Sequence, residues 1–327
     1  MNFAFRRAGC AALVVAAAVA SAAILPAQAD EGGADRGRAD QGRIIAVQSD
    51  LQKRADALLK GITEGGGKAK YGAIEPGASK EGLVIKDAEI TSPDNKTVKI
   101  ERVEVRDFDW ENPNQPARMD LSIKKLVIPA SSLEKDVADL GVTSLTINAD
   151  FAYKLDDAKK TFEVSGIAID IVELGELKLQ LKLAGIASGD LKGVLGGDKD
   201  AKRGDAKPGE DAATKLLAQL MIVGASISFK DKSLVERLIR ADAKKKNISE
   251  AEAKRKMLDD LAEQKKEATD DATRELFDAA TKFLTNPGTI ELAANPGSPV
   301  NVMAAFLAMM GSPGAIKQML GIALTVR

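Results

Sequence analysis

The chain contains no histidine and a single cysteine, Cys10, and both shortages restrict its chemistry. Without histidine there is no Ser-His-Asp triad, no Cys-His pair, no imidazole general base and no ordinary zinc or copper site. One cysteine cannot form an intramolecular disulfide. An enzyme built on this chain would depend on carboxylates, lysine, serine or tyrosine, so we predict a non-enzyme with no catalytic residue, metal or cofactor.

Aromatic residues and excess charge are also scarce. Aromatic side chains make up 4% of the residues, which provides few stacking platforms for bases or sugars. The formal net charge is −1, whereas binding to nucleic acid requires a concentrated basic face. We therefore predict that nucleic acid is not a partner.

One apolar run, Ala11–Ala23, carries the features of a targeting segment. Arg6 and Arg7 precede it, and Ala27-Gln28-Ala29 supplies a small-x-small cleavage pattern, which predicts a signal peptide over residues 1–29 and a periplasmic protein. The alternative is an uncleaved anchor, but the run is short for a bilayer span. We expect no stable transmembrane segment after cleavage.

Composition predicts the organisation of the remaining chain. Residues 30–43 are charged and glycine-rich, which is typical of a disordered leader. Residues 44–187 are predicted to form an N-terminal helix and a β-meander. Residues 188–211 contain little that can be buried and are predicted to be a flexible linker. Residues 212–327 are predicted to be helix-rich and to add strands to the same sheet.

The stretch from Leu145 to Leu183 has apolar residues at every second position in two long runs, which is the period of half-buried antiparallel strands. We predict an α+β fold with a curved antiparallel meander and helices packed on one face. In the earlier stretch from Lys96 to Trp110 the apolar phase changes twice, which predicts bulges or a sharp bend.

Three serines begin capping-box patterns that predict helix starts, at Ser131, Ser233 and Ser249. The helix behind Ser249 is predicted to reach Leu284. A helix is also predicted from Ala213.

Two features could carry chemistry or binding in the meander. Asp107 and Asp109 flank Phe108, and paired carboxylates can serve acid–base catalysis, although on a strand face they are more often simply polar. Trp110, beside two prolines, is a candidate contact for a ligand or an anchor for packing.

The aliphatic face of the meander can be closed by the chain's own helices or left open as a groove for an apolar ligand. The candidate ligand-binding residues are Leu177, Leu179, Leu181, Leu183, Phe151 and Trp110.

Turn and cap residues recur through the last third of the chain, in the runs FKDKSLVERLI, FLTNPGTIELAANPGSPVNVMAAFL and QMLGIALTV. The residues concerned are Asp231, Ser233-Leu234, Phe283-Leu284, Asn286-Pro287-Gly288, Asn295-Pro296 and Pro299-Val300. In these the chain resembles the C-terminal part of a family of exported proteobacterial proteins of unknown function. The runs GLVIKDAEI and LSIKKLVIPA are similar in style to the strands of AsmA-like envelope proteins, a resemblance that implies lipid handling. Neither resemblance brings a catalytic residue.

Three functions follow as hypotheses. The first is a non-enzymatic periplasmic protein that binds a lipid or other apolar ligand along a curved sheet. The second is a structural or scaffolding protein of the cell envelope that acts through a protein partner. The third is a hydrolase that uses Asp107 and Asp109.

Overall fold

The computed structural model describes residues 41–63, 67–113, 115–133, 135–190, 208–311 and 313–327. The predicted signal peptide, residues 30–40 of the leader and residues 191–207 of the linker lie outside this range. The predicted α+β class with a curved antiparallel sheet is confirmed. The chain divides into two compact units, one of residues up to Phe151 with Ile169–Val172, the other of Ala152–Ala168 with Glu173–Arg327.

The first unit combines a long helix with an antiparallel meander. Its helical segments are α1 (Gln41–Thr63), a 3₁₀ turn (Ala130–Ser132) and α2 (Lys135–Ala138). Its strands are β1 (Lys68–Lys70), β2 (Ala73–Pro76), β3 (Leu83–Thr91), β4 (Thr97–Phe108), β5 (Arg118–Pro129) and the first part of β6 (Ser144–Asp156). Strand β3 pairs with β1, β2 and β4, and β4 pairs with β5. Helix α1 contacts β1, β2 and β3 and buries Leu51, Ala55 and Leu59, because residues four apart lie on one helix face.

Strand β4 changes the face of its apolar side chains twice, as the sequence predicts. Its buried side chains are Ile100, Val103, Val105 and Phe108. At the first change, direct pairing stops at Ile100 and resumes at Arg102 on both sides. The unpaired neighbours there, Asp87 and Lys125, have φ angles of 52° and 50°. At the second change, the register with β5 shifts after Val105. These irregularities keep the buried side chains on the core side of a bending strand.

The second unit contains the remaining strands and most of the helices. Its strands are the end of β6, β7 (Thr161–Ile171, except for its last residues), β8 (Gly175–Ala184), β9 (Met221–Asp231), β10 (Thr289–Ala294), β11 (Val300–Asn301) and β12 (Ile322–Val326). Its helices are α3 (Pro208–Gln219), α4 (Leu234–Lys246), α5 (Glu250–Glu267), α6 (Asp271–Thr285), α7 (Val302–Gly311) and α8 (Pro313–Leu320). Strand β9 lies between β8 and β10, and β10 pairs with β12.

The single helix predicted from Ser249 to Leu284 is wrong, because the structure has two helices there, α5 and α6. The Asp270 carboxylate caps the second one and accepts hydrogen bonds from the N–H and the hydroxyl of Thr273 at 2.9 and 2.7 Å. The Ser249 cap is confirmed, since its hydroxyl accepts the N–H of Glu252 at 3.2 Å. The first of the two helices ends at Glu267, where Ala268 is extended, and the Asp270 cap begins the next helix without glycine or proline between them.

The capping box predicted at Ser233 is not formed. The Ser233 hydroxyl instead donates to the Glu173 carbonyl at 2.5 Å, and Asp231 caps α4 by accepting the N–H of Val235 at 3.0 Å. Helix α3 begins at Pro208, before the predicted Ala213, so its first turn includes residues 208–211 of the predicted linker. Proline is favoured in a first helical turn, because the N–H groups of that turn form no hydrogen bond within the helix and proline, which lacks an N–H, therefore costs none.

Candidate functional site

Strands β8, β9, β10 and β12 place apolar side chains on one face of the sheet. Directly paired residues of antiparallel strands lie on the same face, so the register defines three rows across the four strands. The rows are Leu177–Phe229–Ile290–Val326, Leu179–Ile227–Leu292–Leu324 and Leu181–Ala225–Ala294–Ile322. We call these twelve residues the C-terminal apolar face.

The opposite face of the same strands is polar. The residues between the first two rows form the series Lys178–Ser228–Glu291–Thr325. Lys178 pairs with Glu176 at 2.9 Å, and Glu291 pairs with Arg327 at 2.9 Å. The four strands therefore have one wetted face and one face without a charged group.

The middle of the C-terminal apolar face is open. None of its twelve side chains is buried, and the cross-strand partners Ile227 and Leu292 are 42% and 41% exposed. In the first unit, by contrast, Ile85 on β3 is 0% exposed. Folding therefore leaves apolar surface in contact with water at the centre of this face, which is unfavourable.

Helix α6 covers one margin of the face. It contacts β10 and β12, and the Phe283 ring packs edge-on against Phe229 with centroids 6.2 Å apart. The Phe229 ring in turn lies against Gly175, where a Cβ would be 2.5 Å from the ring. The Lys282 ammonium donates to the Val326 carbonyl at 2.9 Å and fixes the helix to the sheet. The first row is therefore partly covered, while the middle of the second row, at Ile227 and Leu292, is exposed.

The third row is shallow at its centre. Its two middle positions are Ala225 and Ala294, between the larger Leu181 and Ile322. Small side chains flanked by large ones leave a trough, next to the exposed Ile227. This arrangement favours contact with a narrow apolar group.

Asp231 marks the polar end of β9. Burial raises the pKa of its carboxyl above the ordinary value, and neighbouring Glu236 adds to this, while hydrogen bonds from the backbone N–H groups of Val235 and Leu234 act in the opposite direction. The carboxylate is thus tied to the first turn of α4 and is not directed at a ligand.

The six predicted ligand-binding residues lie in both units. Leu177, Leu179 and Leu181 are half-buried members of the apolar face. Leu183 is also half-buried and follows a register shift, after which it pairs with Ile222. Sequence reasoning missed Ile227 and Leu292, because the alternation shows a strand but not the register that joins its residues to β8.

Phe151 and Trp110 lie in the first unit and are packed by it. Phe151 is 6% exposed. The Trp110 indole N–H donates to the Glu81 carbonyl at 2.7 Å, and its ring lies 4.4 Å from that of Phe108 and 5.3 Å from the Arg54 guanidinium. These contacts are those of a packing anchor.

The two candidate catalytic carboxylates each have structural partners. Asp107 pairs with the Arg118 guanidinium at 3.1 Å. Asp109 is 5% exposed and accepts hydrogen bonds from Asn112 Nδ2 at 3.2 Å and from the Ala117 N–H at 3.1 Å. Within the described residues, no group of three or more acidic or cysteine side chains is placed to hold a metal ion.

A pocket of 370 Å³ lies among α4, α5 and Pro287. Its charged groups are occupied, since Glu236 and Glu250 both pair with Arg240 and Lys254 donates to the Thr285 carbonyl. This leaves the apolar face as the stronger candidate.

Residues 168–327 match the model of a family described as "Uncharacterized protein". All the turn and cap residues of the C-terminal resemblance fall inside that region, whereas the predicted export of the family and the similarity to AsmA-like proteins stay predictions. The chain matches no curated protein. Among the helices of the described ranges, none combines the length and the apolar character needed to cross a bilayer.

Proposed function

We propose that the protein is exported to the periplasm and binds a lipid or another apolar ligand on the C-terminal apolar face, without catalysing a reaction. The observation that carries the proposal is the exposure of Ile227 and Leu292 at the centre of that face. Their removal from water by a ligand would supply the hydrophobic free energy of binding.

The dimensions of the face favour a small ligand over a protein domain. Four strands span about 14 Å, and three rows at alternate residues span a further 13–14 Å, which gives an area of about 200 Å². A stable protein partner buries roughly 800 Å² on each side. An acyl chain or a compact apolar molecule fits the smaller area, and the trough at Ala225 and Ala294 gives it a place to lie.

The absence of charge on the face supports the same conclusion. Its twelve side chains are all aliphatic or aromatic, while the charged residues of β8 and β10 alternate to the other side. A ligand on this face would therefore be recognised by shape and apolar area. Its polar end would be left at the margin, in water.

Filling the trough tests the proposal. We expect the delipidated wild-type chain to bind the apolar dye N-phenylnaphthylamine saturably, and Ala225→Leu to weaken that binding about tenfold by occupying the trough, a loss of about 1.4 kcal/mol. Ser226→Leu is the matched control, because it adds a similar volume to the next residue on the opposite face. Its dye affinity should equal that of the wild type.

Native mass spectrometry after gentle purification provides the second measurement, and co-purifying lipid is expected. Equal dye affinity in all three proteins, or non-saturable binding, would contradict the proposal. Salt-resistant co-purification of one fixed protein without lipid would instead favour the scaffolding function.

A further inference from the structure

Helix α7 has the reverse of the usual arrangement of a soluble helix. Its Ala305 is 4% exposed, whereas Phe306, Leu307, Met309 and Met310 are 50%, 61%, 54% and 72% exposed. At 100° per residue the four large side chains share an arc of about 160°. The helix therefore buries a small residue against the protein and presents its large apolar residues outwards.

The outward direction is fixed by contacts at the start of the helix. Asn301 caps it by accepting the N–H of Ala304 at 3.1 Å, and the Asn301 amide donates to the Ala218 carbonyl at 2.7 Å. The N–H of Val302 donates to the Leu220 carbonyl at 2.9 Å. Helix α7 also contacts α3 and α8.

The surroundings of the helix in the sequence lack charge. No charged residue occurs from Leu292 to Ile316, in a chain of which 29% is charged. A protein partner that is selected by complementary charge has nothing to pair with on this stretch. The contact surface of α7 suits an environment that is itself apolar and fluid, since methionine, leucine and phenylalanine adapt to irregular surroundings.

The exposed area is too small for a stable dimer of the chain. Four side chains of roughly 200 Å² each, exposed by somewhat more than half, offer about 450–500 Å². A specific protein interface requires roughly 800 Å² from each partner. The largest apolar patch on a monomeric protein is commonly of this size, and such a patch is often functional.

We propose that α7 docks the protein on the surface of a lipid bilayer, with Phe306, Leu307 and Met310 inserted at the boundary between headgroups and acyl chains. Interfacial helices bind membranes in this way, parallel to the surface and without crossing. Docking by α7 does not require that the C-terminal apolar face bind a ligand, so the two proposals can fail separately.

The lack of charge predicts how the binding depends on conditions. Basic interfacial helices need anionic lipid and are released by salt. Docking through α7 should be equally strong on vesicles of phosphatidylcholine alone and on vesicles with added phosphatidylglycerol. It should also be unchanged between roughly 0.05 and 0.5 M salt, over which exposed charges become strongly screened.

Vesicle flotation of the full chain tests the proposal. The wild type should float with both kinds of vesicle, and the double variant Leu307→Gln/Met310→Gln should lose about tenfold or more in partitioning. Glutamine retains helix propensity, so the helix should persist. Leu276→Gln is the matched control, because Leu276 is 52% exposed on α6, and it should float like the wild type.

Two further measurements separate the outcomes. The double variant should retain the melting temperature and the dye affinity of the wild type, and Ala225→Leu should lose dye affinity yet float normally. Absence of flotation in the wild type, equal loss in Leu276→Gln, or flotation that requires phosphatidylglycerol and low salt would overturn the proposal. So would a wild-type dimer in light scattering that the double variant converts to a monomer, because α7 would then contact a second copy.

Discussion

Two isoleucines of the second unit test whether the C-terminal apolar face is open, because their replacement by alanine should cost different amounts of stability. Ile227 on β9 is 42% exposed, and Ile239 on α4 is 7% exposed within a cluster with Val235, Ala243 and Ala253. Substitution of each by alanine removes the same three carbon atoms. The two variants therefore compare the same chemical change at an open and at a closed position.

The expected magnitudes follow from burial. Three fully buried methylene equivalents contribute about 2.4 kcal/mol, and the cavity left in a closed core brings the cost of Ile239→Ala to about 3 kcal/mol, less a few tenths for the better helix propensity of alanine. Ile227 has a little over half of its surface buried and no closed cavity would form. Ile227→Ala should therefore cost about 1.4 kcal/mol, plus a few tenths for lower β propensity.

Urea denaturation followed by circular dichroism measures the free energy of unfolding of both variants. Ile239 lies in the second unit, so the unfolding transition whose midpoint shifts in Ile239→Ala is that of the second unit. The two midpoints should differ by the equivalent of about 1 kcal/mol in the free energy of unfolding. If Ile227→Ala costs as much as Ile239→Ala, the face is closed and the reasoning that leads to a ligand fails.

Three other predictions concern local contacts. Ser249→Ala should lower the free energy of unfolding by about 1 kcal/mol, because the Glu252 N–H loses its cap. A thermal melt measures the loss, and an unchanged melting temperature would show that water replaces the serine hydroxyl. Burial raises the pKa of Asp231, so the folded state binds a proton at this carboxyl more readily than the unfolded state does. The contribution of this group to stability is therefore complete below the ordinary pKa of 3.8 and is lost as the pH rises through the raised pKa of the folded state. Asp231→Asn keeps an oxygen that accepts the Val235 N–H, so the variant should be at least as stable as the wild type at pH 7. In thermal melts below pH 4 the difference in stability should shrink. A variant that is less stable only at neutral pH would show that the negative charge itself is needed. Trp110→Phe should cost about 1–2 kcal/mol through loss of the hydrogen bond to Glu81 but leave dye affinity unchanged, and a lost affinity would make Trp110 a ligand contact.

Local patterns in the sequence predict much of the first unit. The two phase changes of β4 are visible as a switch of apolar residues from even to odd numbers and back, and the structure has an irregular pairing at each switch. The alternation of apolar and polar side chains depends on one strand alone, so it can be read directly from the sequence.

Pairing between distant strands is a different matter. The apolar face depends on Ile227 lying opposite both Leu179 and Leu292, which are far apart in the sequence. A change of register by one residue would move Ile227 to the other face, and no local pattern excludes that change. From the sequence, only the part of the candidate site that lies on β8 was therefore predictable.

Caps show the same limit on a smaller scale. Ser233 and Asp231 both precede α4, and either side chain could reach its first turn. The carbonyl of Glu173, brought near by the fold, takes the Ser233 hydroxyl and leaves the capping role to Asp231. Tertiary contacts of this kind decide between local alternatives that the sequence leaves equal.

Photolabelling of the delipidated protein with a diazirine-bearing fatty acid tests the central claim most directly. Peptide mapping should place the label on β9 and β10 at Ile227 and Leu292, with labelling suppressed in Ala225→Leu and retained in Ser226→Leu. Label confined to α7 or to the first unit, or spread equally over all exposed apolar side chains, would contradict a ligand site on the C-terminal apolar face.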